Sequence, residues 1–170
     1  PAAPPPGFRA QIGMQLQQCR LPAKITPHEA LDLFGSFYAD PVPTDELLQR
    51  FGLAEHANKR FEKLSGGQQQ RLSVALALVG RPRIAILDEL TTGLDPSARR
   101  DIWGYLDGLR ASGVTIVLVT HSMEEADYLC DRVIIIDAGR IVADGSPAVL
   151  AEGHRSLEAA YLDLTTRTSA

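Results

Sequence analysis

The spacing of apolar and polar residues predicts two helices in the first third of the chain. After Thr26, apolar residues repeat every three to four positions, and Thr26 itself, with proline next and glutamate three residues on, has the pattern of a capping box. Two prolines in the segment 40–43 end this helix, because proline cannot continue one. Apolar spacing resumes in a second predicted helix, Thr44–Gly52.

Uninterrupted apolar runs predict the strands. Ile84–Leu87 and Val114–Thr120 have the composition of strands that are covered on both faces, as in a parallel sheet. Val133–Ile136 turns back into Ile141–Ala143 through a glycine-containing turn, which predicts a hairpin. A further short strand is predicted at Phe8–Ile12. Strands that alternate with helices indicate an α/β fold with a mostly parallel sheet.

The most apolar helix is predicted to begin at Ser65. Ser65 and Gln68 form an S-x-x-Q capping box, and apolar side chains then cover most of the helix circumference. Gly66 and Gly67 each cost about 1 kcal/mol relative to alanine inside a helix. They do allow close approach to free backbone N–H groups, which suits phosphate. Taken alone, the pattern favours a capped core helix over a phosphate site.

Two adjacent acids, Asp88 and Glu89, directly follow the first apolar strand. Acids at a strand end often simply meet solvent. However, open parallel sheets bind ligands at the carboxyl ends of their strands. One acid there can hold Mg²⁺, and another can activate water. Neighbouring side chains on a strand diverge, so the two acids would have different roles.

Two further polar residues stand before or after predicted elements. His121 follows the strand 114–120, where a histidine is either a structural hydrogen-bonding group or a ligand contact. Asp95 precedes Pro96 and therefore predicts the N-cap of another helix. That helix carries apolar residues on one face and ends at Gly113.

Length, charge and the lengths of the apolar runs argue against several classes of protein. A length of 170 residues fits one domain with its own core, and a net charge of −4 without a basic run argues against nucleic acid as the main partner. The longest apolar runs are too short to cross a bilayer. No charged-then-apolar leader opens the sequence, so we expect a cytoplasmic chain without a secretion signal.

Residues 64–68 read LSGGQ, which resembles, without substitution, the signature motif of the ATP-binding cassette (ABC) ATPases. The resemblance implies a P-loop NTPase (RecA-like) core with an inserted α-helical subdomain. It also implies ATP with Mg²⁺ between two such domains, the signature of one closing over the γ-phosphate held by the other. Ser65, Gly66, Gly67 and Gln68 would carry this contact.

The acidic pair resembles the Walker B motif and catalytic glutamate of the same family. The resemblance makes Asp88 the magnesium residue and Glu89 the general base. The family usually has proline next, whereas this chain has Leu90. Leucine restores an N–H and lifts the backbone restriction on Glu89, so we expect a mild effect on positioning.

Three loops complete the resemblance. Gln17, in the stretch IGMQLQ, resembles the Q-loop glutamine that reaches the magnesium or attacking water, and Gln15 and Gln18 offer alternative registers. The Q-loop also touches the membrane domain of a transporter. Asp95 resembles the D-loop aspartate, which lies at the dimer interface. His121 resembles the H-loop histidine, which contacts the γ-phosphate.

The resemblance also divides the chain into segments. They are a proline-rich lead (1–10), a strand end with the Q-loop (11–26), the helical subdomain (27–64), the part of the ATPase core with signature helix, Walker B, D-loop and H-loop (65–152), and a carboxyl-terminal helix and tail (153–170).

No G-x-x-x-x-G-K-[ST] P-loop occurs in the sequence, and no aromatic residue is a candidate for stacking on adenine. The resemblance therefore covers the part of the domain after the P-loop, and its amino-terminal part is absent. Truncation of a longer chain is favoured over a natural remnant. In either case, the chain alone is expected neither to bind ATP tightly nor to hydrolyse it.

The stretch THSMEEAD at 120–127 and the tail LEAAYL at 157–162 resemble drug- and antibiotic-exporter ATPases. This implies a transporter ATPase in a homo- or heterodimer, bound at the inner face of the membrane to a permease through the Q-loop and helical subdomain. One alternative is a non-catalytic partner that lends its signature to a complete ATPase. Another is a soluble ABC protein of translation or DNA repair, although the basic or coiled-coil extensions expected there are not seen.

Overall fold

The computed structural model describes residues 7–15, 20–91 and 93–167, and the chain divides after Val119 into two compact units. The first unit holds a three-stranded sheet with its helices. The second holds a two-stranded hairpin with three helices.

The sheet of the first unit is parallel throughout. Its strands β1 (Ile12–Gln15), β2 (Ile84–Asp88) and β3 (Thr115–Val119) lie side by side in that order. The central strand pairs with both neighbours, so that Ile84 lies opposite Ile12 on one side and Thr115 on the other. The predicted α/β fold with a mostly parallel sheet is confirmed.

The prediction of a strand at Phe8–Ile12 is correct only for Ile12 and wrong for the residues before it. Phe8–Gln11 form a 3-10 turn whose side chains are exposed, and β1 begins at Ile12. Exposed residues gain no burial from extended pairing, whereas Ile12 is the first residue with a partner on β2. The position of this strand is therefore decided by its neighbour in the sheet.

Two helices after β1 form the helical part of the first unit. They are α1 (Pro27–Gly35) and α2 (Thr44–Arg50), which pack against each other. Thr26 Oγ1 accepts the Glu29 N–H at 3.2 Å, and the Thr26 N–H donates to the Glu29 carboxylate at 2.9 Å. The predicted capping box is therefore confirmed, although α1 ends at Gly35, before the prolines.

Two longer helices complete the first unit, and the first of them packs on β1 and β2. Helix α3 (Gly66–Leu78) is buried at every position from Leu72 onward, as its apolar circumference predicts. Helix α4 (Pro96–Ala111) buries Ile102, Trp103 and Leu106. These residues form part of the core of the first unit.

The opposite face of the sheet remains open. Ala85 and Leu87 are fully buried, but Met14, Val117 and Val119 on the other face are 52%, 46% and 54% exposed. The prediction that the strands are covered on both faces is therefore wrong for this face, because no described element of the first unit packs over it. We call it the open sheet face, and the register places six apolar residues on it: Ile12, Met14, Ile84, Ile86, Val117 and Val119.

The second unit is built on a hairpin, as the sequence predicts. It comprises α5 (Met123–Leu129), β4 (Val133–Asp137), β5 (Arg140–Gly145), α6 (Pro147–Leu150) and α7 (Leu157–Arg167). The two strands pair antiparallel, and Ala126, Val133, Ile135 and Leu157 form a small core. Arg132 clamps the open end of the hairpin, where its guanidinium makes two bonds of 2.7 Å to the Asp144 carboxylate.

Candidate functional site

The first helix turn of α3 is capped and open to solvent. The Ser65 N–H donates to Gln68 Oε1 at 2.9 Å, and Ser65 Oγ accepts the Gln68 N–H at 3.3 Å, which confirms the predicted capping box. A Cβ on Gly66 would meet no other atom within 4 Å. A Cβ on Gly67 would lie 3.3 Å from the carbonyl oxygen of Gly93, so the turn at 93–94 lies directly against the helix start.

Asp88 ends β2 with a partly exposed carboxylate. Its backbone N–H donates to Oε1 of Gln15 at 3.1 Å, and Gln15 is 1% exposed within β1. Gln15 is therefore a buried strand residue that holds the backbone next to the acidic pair. Gln17 and Gln18, the other two candidates for the Q-loop, lie outside the described residues.

Glu89 has an unusual backbone for a residue with a side chain. Its φ of 50° lies in the left-handed region, and its N–H donates to the carbonyl oxygen of Val119 at 2.8 Å. The next residue, Leu90, is fully buried. A proline at this position would favour extended backbone at Glu89, and leucine imposes no such restriction. The acidic pair is thus fixed to the ends of both β1 and β3.

Gln70 is a site residue that the sequence motifs did not point to. Its side-chain Nε2 donates to the carbonyl oxygens of Glu89 at 3.0 Å and Leu90 at 3.1 Å. The only signal in the sequence is a polar residue at the start of an otherwise apolar helix. The bond joins the helix that carries LSGGQ to the backbone of the acidic pair.

Asp95 caps α4, as predicted. Its Oδ1 accepts the N–H groups of Ser97 at 3.0 Å and Ala98 at 3.1 Å. The bond from the Ala98 N–H is the main cause that holds the pKa of Asp95 below its usual value. Desolvation of the carboxylate opposes it, and the bond from the Ser97 N–H and the Arg71 charge add to the lowering. Asp95 is therefore a stable anion at the end of the 93–94 turn.

His121 belongs to the second unit. It is exposed and precedes Ser122, whose Oγ accepts the Glu125 N–H at 3.3 Å as the N-cap of α5. His121 lines a cavity of about 330 Å³ together with residues of α5 and α7, among them Glu124 and Tyr161. This cavity gives the imidazole an open approach from solvent.

The described structure therefore brings three of the predicted groups together in the first unit. The helix start at Ser65–Gln68 and the acidic pair are joined through Gln70, and the turn before Asp95 packs against Gly67. Among residues 7–15, 20–91 and 93–167, no cluster of three or more His, Cys, Asp or Glu side chains could hold a metal ion. A single carboxylate such as Asp88 fits Mg²⁺, because this ion is usually held by one or two carboxylates together with substrate phosphates.

None of the helices within the described ranges combines the length and apolar character needed to cross a bilayer.

Comparisons with known proteins all point to the same protein family. Residues 4–92 match the family model described as "ABC transporter". The chain is 44% identical over 149 residues to Nod factor export ATP-binding protein I from Rhizobium johnstonii, covering 85% of this chain and 48% of that protein. It is 38% identical over 143 residues to a daunorubicin resistance ATP-binding protein from Streptomyces coeruleorubidus, covering 81% of this chain and 45% of that protein. The chain thus spans about half the length of these relatives.

Two solved structures are similar in fold to this chain. One is described as the structure of an ATP binding subunit of an ABC transporter, with a TM-score of 0.81 and 28% identity, covering 92% of this chain and 69% of that chain. Another is a dimeric ATP-binding cassette in a post-hydrolysis state bound to ADP and Pi, with a TM-score of 0.72 and 29% identity, covering 80% of this chain and 62% of that chain.

Proposed function

The chain belongs to the ABC transporter family, and on this basis we propose that it is the signature-bearing part of an ATPase subunit that works as a dimer and drives a membrane permease. One observation carries the proposal. A solvent-exposed, glycine-containing helix start and an acidic strand end lie in one unit, and the Gln70 side chain joins them. Such a pairing suits a protein that contacts one nucleotide and hydrolyses another.

Ser65, Gly66, Gly67 and Gln68 would close over the γ-phosphate held by the neighbouring ATPase domain. Helix N-termini favour anions, because their N–H groups and dipole point outward. The space beside Gly66 supports this role, since nothing lies within 4 Å of the position of a Cβ there. A phosphate can therefore approach the backbone directly.

Asp88 and Glu89 would act on the nucleotide of their own subunit. Mg²⁺, held through Asp88, would neutralise charge on the phosphates. In hydrolysis, a water oxygen bonds to the γ-phosphorus as the bond from that phosphorus to the ADP oxygen breaks. Glu89, as general base, accepts the proton that the water loses.

The remaining loop residues would complete the site. Gln17 would contact the magnesium or attacking water, and Asp95 would lie at the dimer interface. His121 would hold the γ-phosphate and the water. The support for these roles is their resemblance to the family's loops, together with the exposure of His121 and the rigid cap at Asp95.

An exposed apolar surface on the helical part of the first unit would contact the permease. Phe37 is 72% exposed and Leu33 is 49% exposed. The Phe37 ring also packs edge to face on Phe34, with centroids 6.1 Å apart. Exposed aromatic side chains are typical of protein interfaces. The relatives are named for Nod factor export and daunorubicin resistance, so we assign this chain to an exporter that acts at the inner face of the membrane.

Substitution of the general base tests this function in the full-length protein. Glu89→Gln is expected to lower MgATP turnover by about 10²–10⁴-fold and to accumulate an ATP-bound dimer, seen by size-exclusion chromatography. Glu55→Gln, at an exposed glutamate in a 3-10 turn, is the matched control and should keep normal turnover.

Two outcomes would contradict the proposal. Normal turnover of Glu89→Gln would show that Glu89 is not the general base. Co-purification with ribosomes or DNA instead of a membrane protein would favour a soluble ABC protein.

A further inference from the structure

The side-chain amide of Gln70 binds the backbone that follows the acidic pair. Nε2 donates to the carbonyl oxygens of Glu89 at 3.0 Å and Leu90 at 3.1 Å. Both partners are acceptors, and an amide nitrogen offers two hydrogens. One side chain therefore satisfies two consecutive carbonyl groups that lie far from it in sequence.

The backbone that Gln70 holds is strained. Glu89 has a φ of 50°, a conformation that costs an L-residue roughly 1–2 kcal/mol. Such a conformation persists only where the surroundings impose it. Here the Glu89 N–H is bound to Val119, the Leu90 side chain is fully buried, and Gln70 holds both carbonyl groups.

The two preceding glutamines have different partners. Gln68 Oε1 accepts the Ser65 N–H at 2.9 Å. Gln69 Nε2 donates to the carbonyl oxygens of Phe61 at 3.1 Å and Leu64 at 3.3 Å. Gln69 therefore makes the same kind of double contact on the same helix, but away from the acidic pair.

We propose that Gln70 is a positioning residue for ATP hydrolysis, which holds the peptide after Glu89 so that the carboxylate faces the attacking water. The proposal rests on the proposed function, in which Glu89 is the general base. Gln70 acts through the backbone of Glu89 and makes no contribution to binding phosphate. It also ties the base to the helix that carries the signature, so the two parts of the site hold a fixed relation within one subunit.

The test uses the full-length protein with Gln70→Met, which removes both donors at similar volume. The kcat for MgATP hydrolysis is expected to fall about 10- to 100-fold, because slight misplacement of a catalytic group has an effect of this size. The KM is expected to stay within about twofold, since ground-state binding is unchanged. Gln69→Met is the matched control and should keep kcat within about twofold.

A second variant tests the same two hydrogen bonds if Gln70→Met does not fold. Gln70→Glu retains size and polarity but turns an acceptor toward the two carbonyl oxygens, and it should lower kcat at least as much as Gln70→Met. Thermal unfolding and MgATP-dependent dimerisation of each variant establish that the fold and the nucleotide site are intact.

A double-mutant cycle separates positioning from a structural role. In a Glu89→Gln background, adding Gln70→Met should change the single-turnover rate by less than about twofold, because the group that Gln70 positions has already been removed. Equal losses in both backgrounds, or normal kcat for Gln70→Met, would overturn the proposal. Normal turnover of Glu89→Gln alone would instead overturn the proposed function.

Discussion

At the scale of single residues, Gly13 shows how closely β1 packs on α3. A Cβ on Gly13 would overlap the carbonyl oxygen of Ala77 and lie 3.0 Å from Cγ of Pro82. The Ala77 carbonyl belongs to a buried helix and cannot move aside without shifting it. Gly13→Ala should therefore lower the free energy of unfolding by about 1–3 kcal/mol, measured by urea unfolding. An unchanged midpoint would show that the strand and helix do not approach this closely.

The cap at Asp95 predicts a pH dependence of stability with a defined sign. Its pKa is lowered in the folded state, chiefly by the bond from the Ala98 N–H. A depressed pKa contributes stability that is present above the unfolded value of about 3.9 and is lost as pH falls through the folded pKa. Asp95→Asn keeps a good capping residue but does not titrate. The difference in free energy of unfolding between wild type and Asp95→Asn, measured by urea unfolding, should therefore be constant near neutral pH. In acid, wild type should lose stability relative to Asp95→Asn. A difference that does not change with pH would contradict this account.

Some single-residue contacts follow from the sequence and others do not. The boxes at Thr26 and Ser65 and the cap at Asp95 are correctly predicted, because each side chain bonds to backbone two or three positions away. Gln15 and Gln70 instead bond to Asp88 and Glu89, which are distant in sequence. Only the packing of β1, β2 and α3 decides these contacts, so no local pattern could have found them.

At the scale of elements, two glycines weaken α4 without a steric reason. A Cβ on Gly104 or Gly108 would meet nothing within 4 Å, and both positions are exposed along a cavity of about 460 Å³ beside Tyr105. Alanine restricts the unfolded chain more than glycine does and favours the helix. Gly104→Ala and Gly108→Ala should each raise the free energy of unfolding by about 0.5–1 kcal/mol.

Thermal and urea unfolding of the two α4 variants provide the measurement, with Gly13→Ala as the reference for a crowded glycine. A loss of stability at both α4 positions would mean that the cavity beside Tyr105 is occupied in the folded protein. The same Gly→Ala substitution is expected to lower the free energy of unfolding at Gly13 and to raise it at Gly104. The comparison therefore separates the effect of steric crowding from that of backbone entropy.

The elements themselves are predictable to different degrees. Helices with caps begin where the sequence places them, at Pro27, Gly66 and Pro96. The first strand is misplaced, because its start depends on pairing with β2 and not on its own residues. The exposure of Val117 could not be predicted either, since an apolar run does not reveal which face of a strand another element covers.

At the scale of the whole molecule, apolar surface remains uncovered. The open sheet face is one such surface, and on the hairpin Ile136 and Ile141 are 66% and 64% exposed. Proteins that act as monomers rarely expose contiguous apolar patches of more than a few hundred Å². We therefore expect these surfaces to contact other polypeptide when the protein functions.

The open sheet face predicts how the 170-residue chain behaves when it is produced alone. Exposed apolar strands favour association, because burial of their surface is favourable and β3 also presents an unpaired edge in the described sheet. The chain should therefore self-associate at concentrations of roughly tens of micromolar and bind the dye ANS, as measured by light scattering and fluorescence.

Val117→Thr combined with Val119→Thr should reduce both signals, since threonine keeps β-branching while adding a hydroxyl. Val149→Thr, at a 56% exposed valine on α6, is the control and should leave both signals unchanged. If the double variant associates as strongly as wild type, the open sheet face is not the surface that drives association.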